Sequence, residues 1–396
     1  MKNLRVGVWI TNDLVPETGG GHGYYMELLR ALNNHDFKDA EIIFLSDRKI
    51  SVHGLKIQRL TRSSRQLKFW HSISSFLAKK RLLSKITLIP NKAIDKSRKE
   101  IYRYVDIIYY LTPHCAYPDF PYVFTLWDLG YMNTYAFPEI SMNEKFEIRK
   151  KYLNALIPKA LMIFTESNTG KEQCKKYLAI NEDRIRVVPI FPSGVIDPAC
   201  ISIKPTTIKD DIFFIHYPAQ YWAHKNHYNL LIAMSIVVKK VPQIKLVLTG
   251  SDKGNKDYIL NAINELKMEK NVLDLGFVST EELKWLYENS QGLVMPTLLG
   301  PTNMPLLEAA ELGCSVACTN LPGHIEQLGE YGYYFSGLRP EDIAKQIILM
   351  INNNKSGMKK TYTSKFNINN AIKAIDDSFS ELKNIRFCWG KNDRIS

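Results

Sequence analysis

The chain has 396 residues, 45% of them apolar and 23% charged. That is a globular balance; it excludes general disorder and leaves room for two or three domains of roughly 150 residues each. The net charge of +12 is concentrated: residues 56–103 hold fourteen Lys and Arg against only Asp95 and Glu100, so the remainder of the chain is neutral overall.

Six cysteines, none in a CxxC pair, argue against a disulfide scaffold. Cys314 and Cys318, four apart with no ligand pair nearby, read as buried apolar residues rather than metal ligands. No uninterrupted run nears the ~20 apolar residues of a membrane-spanning helix. The opening apolar run stops at Ile10, too short for the core of a signal peptide. The expectation is a cytoplasmic protein.

In chain order, residues 4–10 read as a buried strand, 24–33 as a helix and 41–45 as a second strand. The basic block follows. Within it Leu67, Trp70, Ile73 and Leu77 fall at helical spacing among Arg62, Arg65, Lys68, Lys79 and Lys80. That pattern fits a basic amphipathic helix on an anionic membrane surface, or a solvated basic face over an ordinary core stripe. Strands are expected at 105–111, 122–126, 161–165 and 186–190, and helices at 143–157 and 169–178, the latter with Thr169 as N-cap. Residues 191–207, with Pro192, Gly194, Pro198 and Pro205, break the pattern and read as a linker. Beyond it, strands at 212–217, 245–249, 272–277, 292–296 and 315–319 alternate with helical stretches. Strands separated by helices imply right-handed βαβ crossovers and parallel sheets covered on both faces. Two such series make an α/β protein of two doubly wound domains, with ligands expected at the carboxyl ends of the strands.

Those ends carry the candidate chemistry. Gly19, Gly20, Gly21 and Gly23 precede the first helix, where free amides would suit a phosphate; their distance from the strand does not match the dinucleotide fingerprint. Asp128 follows the strand at 122–126, placed either to orient a sugar hydroxyl or accept a proton, or simply to cap the next turn. Lys225 falls where a helix begins, an end that disfavours cations unless an anion binds there too. His224 and His227 lack a third ligand in view and do not read as a metal site. The most informative stretch is GPTNMPLLEAAELG. A loop through Thr302 leads to a helix opening at Met304–Pro305, with backbone amides of Asn303 and Met304 turned to the cleft and Glu308 one turn on. Amides for phosphate and a carboxylate for vicinal hydroxyls together describe a nucleotide.

The glycine loop, TLWDLGYMNTYAFPE, YPAQYWAHKNHYNLL and PTLLGPTNMPLLEAAELG, in this order and spacing, resemble the GT-B glycosyltransferases of glycosyltransferase family 4 over nearly the whole chain. The resemblance implies two Rossmann-like domains facing a central cleft. An acceptor-binding domain would span 1–195, a linker 196–207 and a donor-binding domain 208–365, with residues 366–396 helical and crossing back. It implies that the glycine loop and Lys225 meet a donor diphosphate and that Glu308 holds the ribose. Residues 302–305 would meet the diphosphate and the transferred sugar, and Val278 the base. Three positions depart from the family pattern: Gly300 replaces the first of two glutamates, Gln220 an arginine, and Trp127 a histidine. With glycine at 300, another residue must hold the sugar hydroxyl that the glutamate would hold, and Asn303 is a candidate.

The activity implied is transfer of a sugar, with retention, from a nucleotide-diphosphate donor to a saccharide hydroxyl in surface-polysaccharide synthesis, with Asp128 and Lys225 as the catalytic candidates. GDP-mannose or a deoxysugar nucleotide is slightly preferred, no metal or other cofactor is expected, and the acceptor would be lipid-linked or an oligosaccharide. The chain would sit on the inner face of the cytoplasmic membrane and bind no nucleic acid. A GT-B nucleotide-sugar epimerase is the alternative, with a dinucleotide-binding dehydrogenase or a nucleic-acid-binding protein behind it.

Overall fold

The computed structural model describes residues 3–11, 20–60, 91–192, 194–357 and 361–388. Gly19 and, in the basic block, Arg62, Arg65, Lys68, Trp70, Lys79 and Lys80 lie outside the described residues.

Two parallel sheets organise the chain. The first contains β1 (Leu4–Trp9), β2 (Ala40–Ser46), β3 (Ile57–Arg59), β4 (Ile107–Tyr110), β5 (Tyr122–Leu126), β6 (Met162–Thr165) and β7 (Ile185–Val187), in the order β3-β2-β1-β4-β5-β6-β7. The second contains β8 (Phe214–Pro218), β9 (Lys245–Thr249), β10 (Val272–Asp274), β11 (Leu293–Met295), β12 (Val316–Thr319) and β13 (Tyr333–Phe335), in the order β10-β9-β8-β11-β12-β13. The inner strands β4, β5, β6 and β12 are buried along their whole length. Their sequences are therefore continuous apolar or aromatic runs rather than alternating ones, as a sheet covered on both faces requires.

The helices that shape the site are α1 (Gly20–Asn34), α2 (Asn91–Tyr104), α3 (Asn168–Leu178), α4 (His227–Lys240), α5 (Thr280–Asn289), α6 (Met304–Glu311), α7 (Pro322–Leu328) and α8 (Ile368–Phe387). In each sheet the strand order reverses in the middle, between β1 and β4 and between β8 and β11. The diverging loops at such switch points leave a crevice at the carboxyl ends of the strands.

Several elements differ from the pattern read in the sequence. Gly20, Gly21 and Gly23 lie within the first turn of α1 and do not form a loop before it. The N-cap of α3 is Ser167, whose hydroxyl accepts from the Gly170 amide, while Thr169 sits inside the helix. The strand expected at 272–277 stops at Asp274, because that carboxylate accepts the Gly276 amide at 3.0 Å and turns the chain through Gly276 at φ +64°. The three-residue strands β3 and β13 had no counterpart in the sequence reading.

Residues 194–213 cross between the sheets without strand or helix, tied to α5 by Lys284, whose ammonium donates to the carbonyls of Asp197 and Cys200. The chain crosses a second time before α8. Ile372, Ile375, Phe379 and Leu382 of α8 are buried in one cluster with Leu4, Val6, Leu28 and Tyr109, and Arg186–Glu381 and Lys383–Asp39 flank it. The last helix thus completes the core of the first sheet. Phe379→Ala is expected to destabilise the protein by about 3–5 kcal/mol through the cavity it leaves. Urea unfolding followed by tryptophan fluorescence measures this; a shift within error would mean that α8 is an accessory layer.

Candidate functional site

A cavity of ≈ 350 Å³ opens at the carboxyl ends of β8, β9 and β11. Gln220, Lys225, Phe277, Val278, Tyr287, Asn303, Met304, Pro305 and Glu308 contribute to its wall. The lining is mostly apolar with a few convergent polar groups, the character of a small-molecule site. Seven of the residues singled out in the sequence therefore surround one space. Thr302, Gly20 and Gly21 do not line this cavity.

Lys225 ends a short turn, Ala223–Lys225, that follows β8. Asn226 then takes up a left-handed conformation at φ +62° and starts α4. An asparagine tolerates this backbone, and its side chain pins the turn by donating to the carbonyls of Pro296 and Gly337 at 3.0 and 2.7 Å. The Lys225 ammonium donates to Asn303 Oδ1 at 3.1 Å. Burial pushes its pKa down to about 8, against an opposing pull from Asp128.

The loop before α6 is clamped from α7. Gln327 accepts the Asn303 amide proton at 2.9 Å and returns a hydrogen bond to the Asn303 carbonyl at 3.0 Å. Asn303 Nδ2 lies 2.8 Å from His324 Nε2, and His324 Nδ1 lies 2.8 Å from the Thr319 carbonyl. Burial holds His324 well below its ordinary range, at about 4. It is therefore neutral, with the proton on Nδ1 and Nε2 accepting from Asn303. Two expectations need correction. The Asn303 amide is not turned to the cleft, because Gln327 takes it. The Asn303 side chain is not available to replace a carboxylate at position 300, because it orients Lys225. The clamp is also tight: a Cβ on Gly323 would fall 1.3 Å from the Pro301 carbonyl oxygen, so only glycine fits there.

Glu308 lies in the first turns of α6 and accepts the Tyr287 hydroxyl at 2.8 Å. Burial pushes its carboxyl up to about 7, with the Tyr287 hydrogen bond pulling the other way.

Across the cleft, Asp128 caps the turn after β5 with one oxygen, 2.5 Å from the Gly130 amide, and lies 3.8 Å from Arg149 through the other. The capping reading of Asp128 thus holds, and its charge also acts on Lys225. Trp127, beside it, packs edge-on against Tyr24, and its indole N–H is buried with no hydrogen-bond partner among the described residues. His224 and His227 are drawn apart. The His224 ring faces Glu139 at 2.5 Å, while His227 stacks on Tyr221.

Three carboxylates escaped the sequence reading. Glu139 accepts the His224 amide at 2.9 Å. Glu326 of α7 receives four hydrogen bonds, each 2.8 Å, from the amides and side chains of Asn168 and Thr169 at the start of α3. Both join the two domains. The third, Glu166, follows β6 as Asp128 follows β5, so the same rule about strand ends would have found it. Its carboxyl faces Thr302, and burial raises its pKa well above the usual carboxylate range, with the Asp128 charge adding to the rise.

Comparison with known proteins agrees with this architecture. Solved structures share the fold over the whole chain. A glycosyltransferase from Rickettsia africae ESF-5 superimposes with a TM-score of 0.63 at 15% identity, covering 96% of this chain and 99% of its own. Alr3699/HepE from Anabaena, solved in complex with UDP and glucose, does so with a TM-score of 0.59 at 14% identity, covering 96% and 100%. The fold is GT-B: two Rossmann-like domains facing a cleft. Residues 201–366 match the family model described as Glycosyl transferases group 1. The serotype-specific mannosyltransferase WbdA of Escherichia coli is 28% identical over 124 residues, 31% of this chain and 15% of that protein. The chain thus aligns with only a small part of that curated relative.

The Glu308 geometry has a consequence for stability. The folded protein keeps a proton on this carboxyl that the unfolded chain loses in the ordinary glutamate range, so stability declines as pH rises from that range to about 7. Glu308→Gln cannot ionise and lacks this decline. Its melting temperature relative to the parent should therefore climb between pH 5 and pH 7.5. A difference independent of pH would show that the carboxyl titrates normally.

Proposed function

We propose that this protein is a retaining glycosyltransferase that moves a hexosyl group from a nucleotide-diphosphate donor to a saccharide hydroxyl. The observation that carries the reading is the single cavity gathering Lys225, Glu308 and Val278, backed by the family-model match over residues 201–366. In this reading the base lies against Phe277 and Val278, the ribose hydroxyls donate to Glu308, and the diphosphate meets Lys225. The bond from the anomeric carbon to the diphosphate breaks while the acceptor oxygen bonds on the same face; the acceptor proton passes to the departing phosphate oxygen. Lys225, oriented by Asn303 and set at the start of α4, stabilises the charge that grows on that oxygen. Asp128 lies on the acceptor side and orients an acceptor or sugar hydroxyl. Neutralisation by Lys225 and the helix dipole leaves no step that calls for a metal. The likeness to WbdA favours a mannosyl donor, and the proposed acceptor is a surface polysaccharide.

The two shifted groups set the pH dependence. Intact donor binds best when Glu308 is ionised and Lys225 protonated, so affinity should rise through about pH 7 and fall above about pH 8. Calorimetry with a nucleotide sugar, which carries no phosphate ionisation of its own in this range, measures both limbs. Glu308→Gln should flatten the acid limb. Lys225→Ala should cost about tenfold or more in affinity, the worth of one charged hydrogen bond, and more in turnover. Parent-like kinetics in Lys225→Ala would move the diphosphate elsewhere.

One observation favours a second reading. Asp128 and Glu166 form a carboxyl pair at adjacent strand ends, the arrangement a nucleotide-sugar epimerase would use. Deuterium entering the sugar from D2O without an acceptor would select the epimerase; its absence, with product formed on adding a saccharide, selects the transferase.

The basic block carries the proposed membrane contact, which would place the protein on the inner face of the cytoplasmic membrane with a lipid-linked acceptor. α2 belongs to this block, and among the described residues no helix is long and apolar enough to cross a membrane. Each Lys or Arg near an anionic leaflet contributes about 1 kcal/mol. The protein should sediment with anionic vesicles at low salt and release at high salt. Changing Arg62, Arg65, Lys68, Lys79 and Lys80 to Glu should abolish sedimentation while sparing transfer to a short soluble acceptor. Unchanged sedimentation would reduce the block to a solvated face.

A further inference from the structure

We infer that Glu166 is the carboxyl that binds the hydroxyl face of the transferred sugar, supplied by the first domain because the second domain has none to offer at Gly300. The inference rests on the nucleotide-sugar reading above and names the group that recognises the sugar within it.

Sheet register places the residue. β5 and β6 are parallel neighbours with Leu126 opposite Thr165, so Trp127 and Glu166 leave the sheet side by side at its carboxyl edge. Asp128 follows Trp127. Both neighbours act on Glu166 or its surroundings: the Asp128 charge reaches the Glu166 carboxyl, and Trp127 packs on Tyr24, whose hydroxyl in turn feels Glu166. The carboxyl faces Thr302, two residues from Gly300 and one from Asn303, the acceptor for Lys225. Glu166 thus lies on the first-domain side of the loop that holds the proposed diphosphate site.

The opposing loop leaves that role vacant. Gly300 has no side chain, and its φ of +110° would strain any residue that carried one. A Cβ there would also press on Asn303 Nδ2 at 3.3 Å. Asn303 is engaged on both sides, by Lys225 and by His324. A Cβ on Gly130 would lie 3.1 Å from the Gly300 amide, so the two domains approach closely here.

The chemistry of the cluster fits hydroxyls rather than phosphate. A second carboxylate beside Asp128 would repel a diphosphate. The Glu166 carboxyl instead offers two oxygens side by side, a match for two neighbouring hydroxyls of a hexose. The Trp127 indole N–H, without an acceptor among the described residues, supplies a donor at the same edge.

The test separates sugar from nucleotide. Calorimetry compares UDP-glucose, GDP-mannose and dTDP-rhamnose with UDP, GDP and dTDP for the parent, Glu166→Ala and Glu166→Gln. For the pair that the parent binds, Glu166→Ala should weaken the nucleotide sugar at least tenfold while the free diphosphate stays within twofold. Glu166→Gln, whose amide keeps the shape and one acceptor oxygen, should recover most of that loss. Unchanged diphosphate affinity also shows that the variants are folded. Equal weakening of both ligands, or of neither, overturns the assignment of Glu166 and leaves the nucleotide site standing. A parent that binds no member of the panel overturns the nucleotide-sugar reading and this inference with it.

Discussion

A half-buried ammonium held by a neutral acceptor is the constraint around which the cleft is arranged. Lys225 sits at the start of α4, where the helix dipole already presents positive potential, and its hydrogen bond to Asn303 brings no compensating charge. Much of the surrounding structure keeps this arrangement in place. Asn226 adopts a left-handed backbone so that the turn can present the lysine. Gln327 and His324 fix Asn303 so that its oxygen, rather than its amide nitrogen, faces the ammonium. Gly323 lets α7 come close enough for that clamp. An anion bound at this point would relieve the dipole conflict and the burial of the ammonium together, which makes the site electrostatically prepared before any ligand arrives.

Electrostatic preparation also divides labour between the domains. The second domain concentrates positive potential at Lys225 and keeps its carboxyl, Glu308, on α6, paired with Tyr287. The first domain brings acidic groups to the same cleft from two adjacent strand ends. The two walls of the cleft thus differ in character, and under the proposed reading a ligand carrying phosphates and hydroxyls would have one orientation that satisfies both.

The fold was legible because its strands are covered on both faces. Runs such as those of β5 and β12 are apolar without alternation, and helices separate them at regular intervals. Asp128, Lys225 and Glu308 were legible because each stands at a strand end or in a helix's first turns, where position alone suggests a role. The edge strands β3 and β13 have three residues each and, unlike the equally short β7 and β10, lie in no longer apolar run that would announce them. Glu139, Glu326 and Gln327 act on partners far away in sequence, and no local spacing announces such pairings. Asn303 shows the limit most sharply. A residue opening a helix ordinarily has a free amide, and only the arrival of Gln327 from another helix removes it. Glu166 belongs between these cases: the strand-end rule applies to it, but its meaning depends on β5 and β6 being neighbours.

The two chain crossings, at residues 194–213 and again before α8, govern how the cleft can move. A pair of domains joined once can swing in any direction; joined twice, they are left with rotation about the line between the crossings. α8 is anchored by an aromatic and aliphatic core, so the second crossing is as firmly rooted as the first. What opposes rotation includes the hydrogen bonds that Glu139 and Glu326 accept across the gap, and water replaces such partners at modest net cost. The parting of the walls that carry Lys225 and Asp128 is therefore a matter of gearing: one angular coordinate, set by where the backbone passes between domains, describes it.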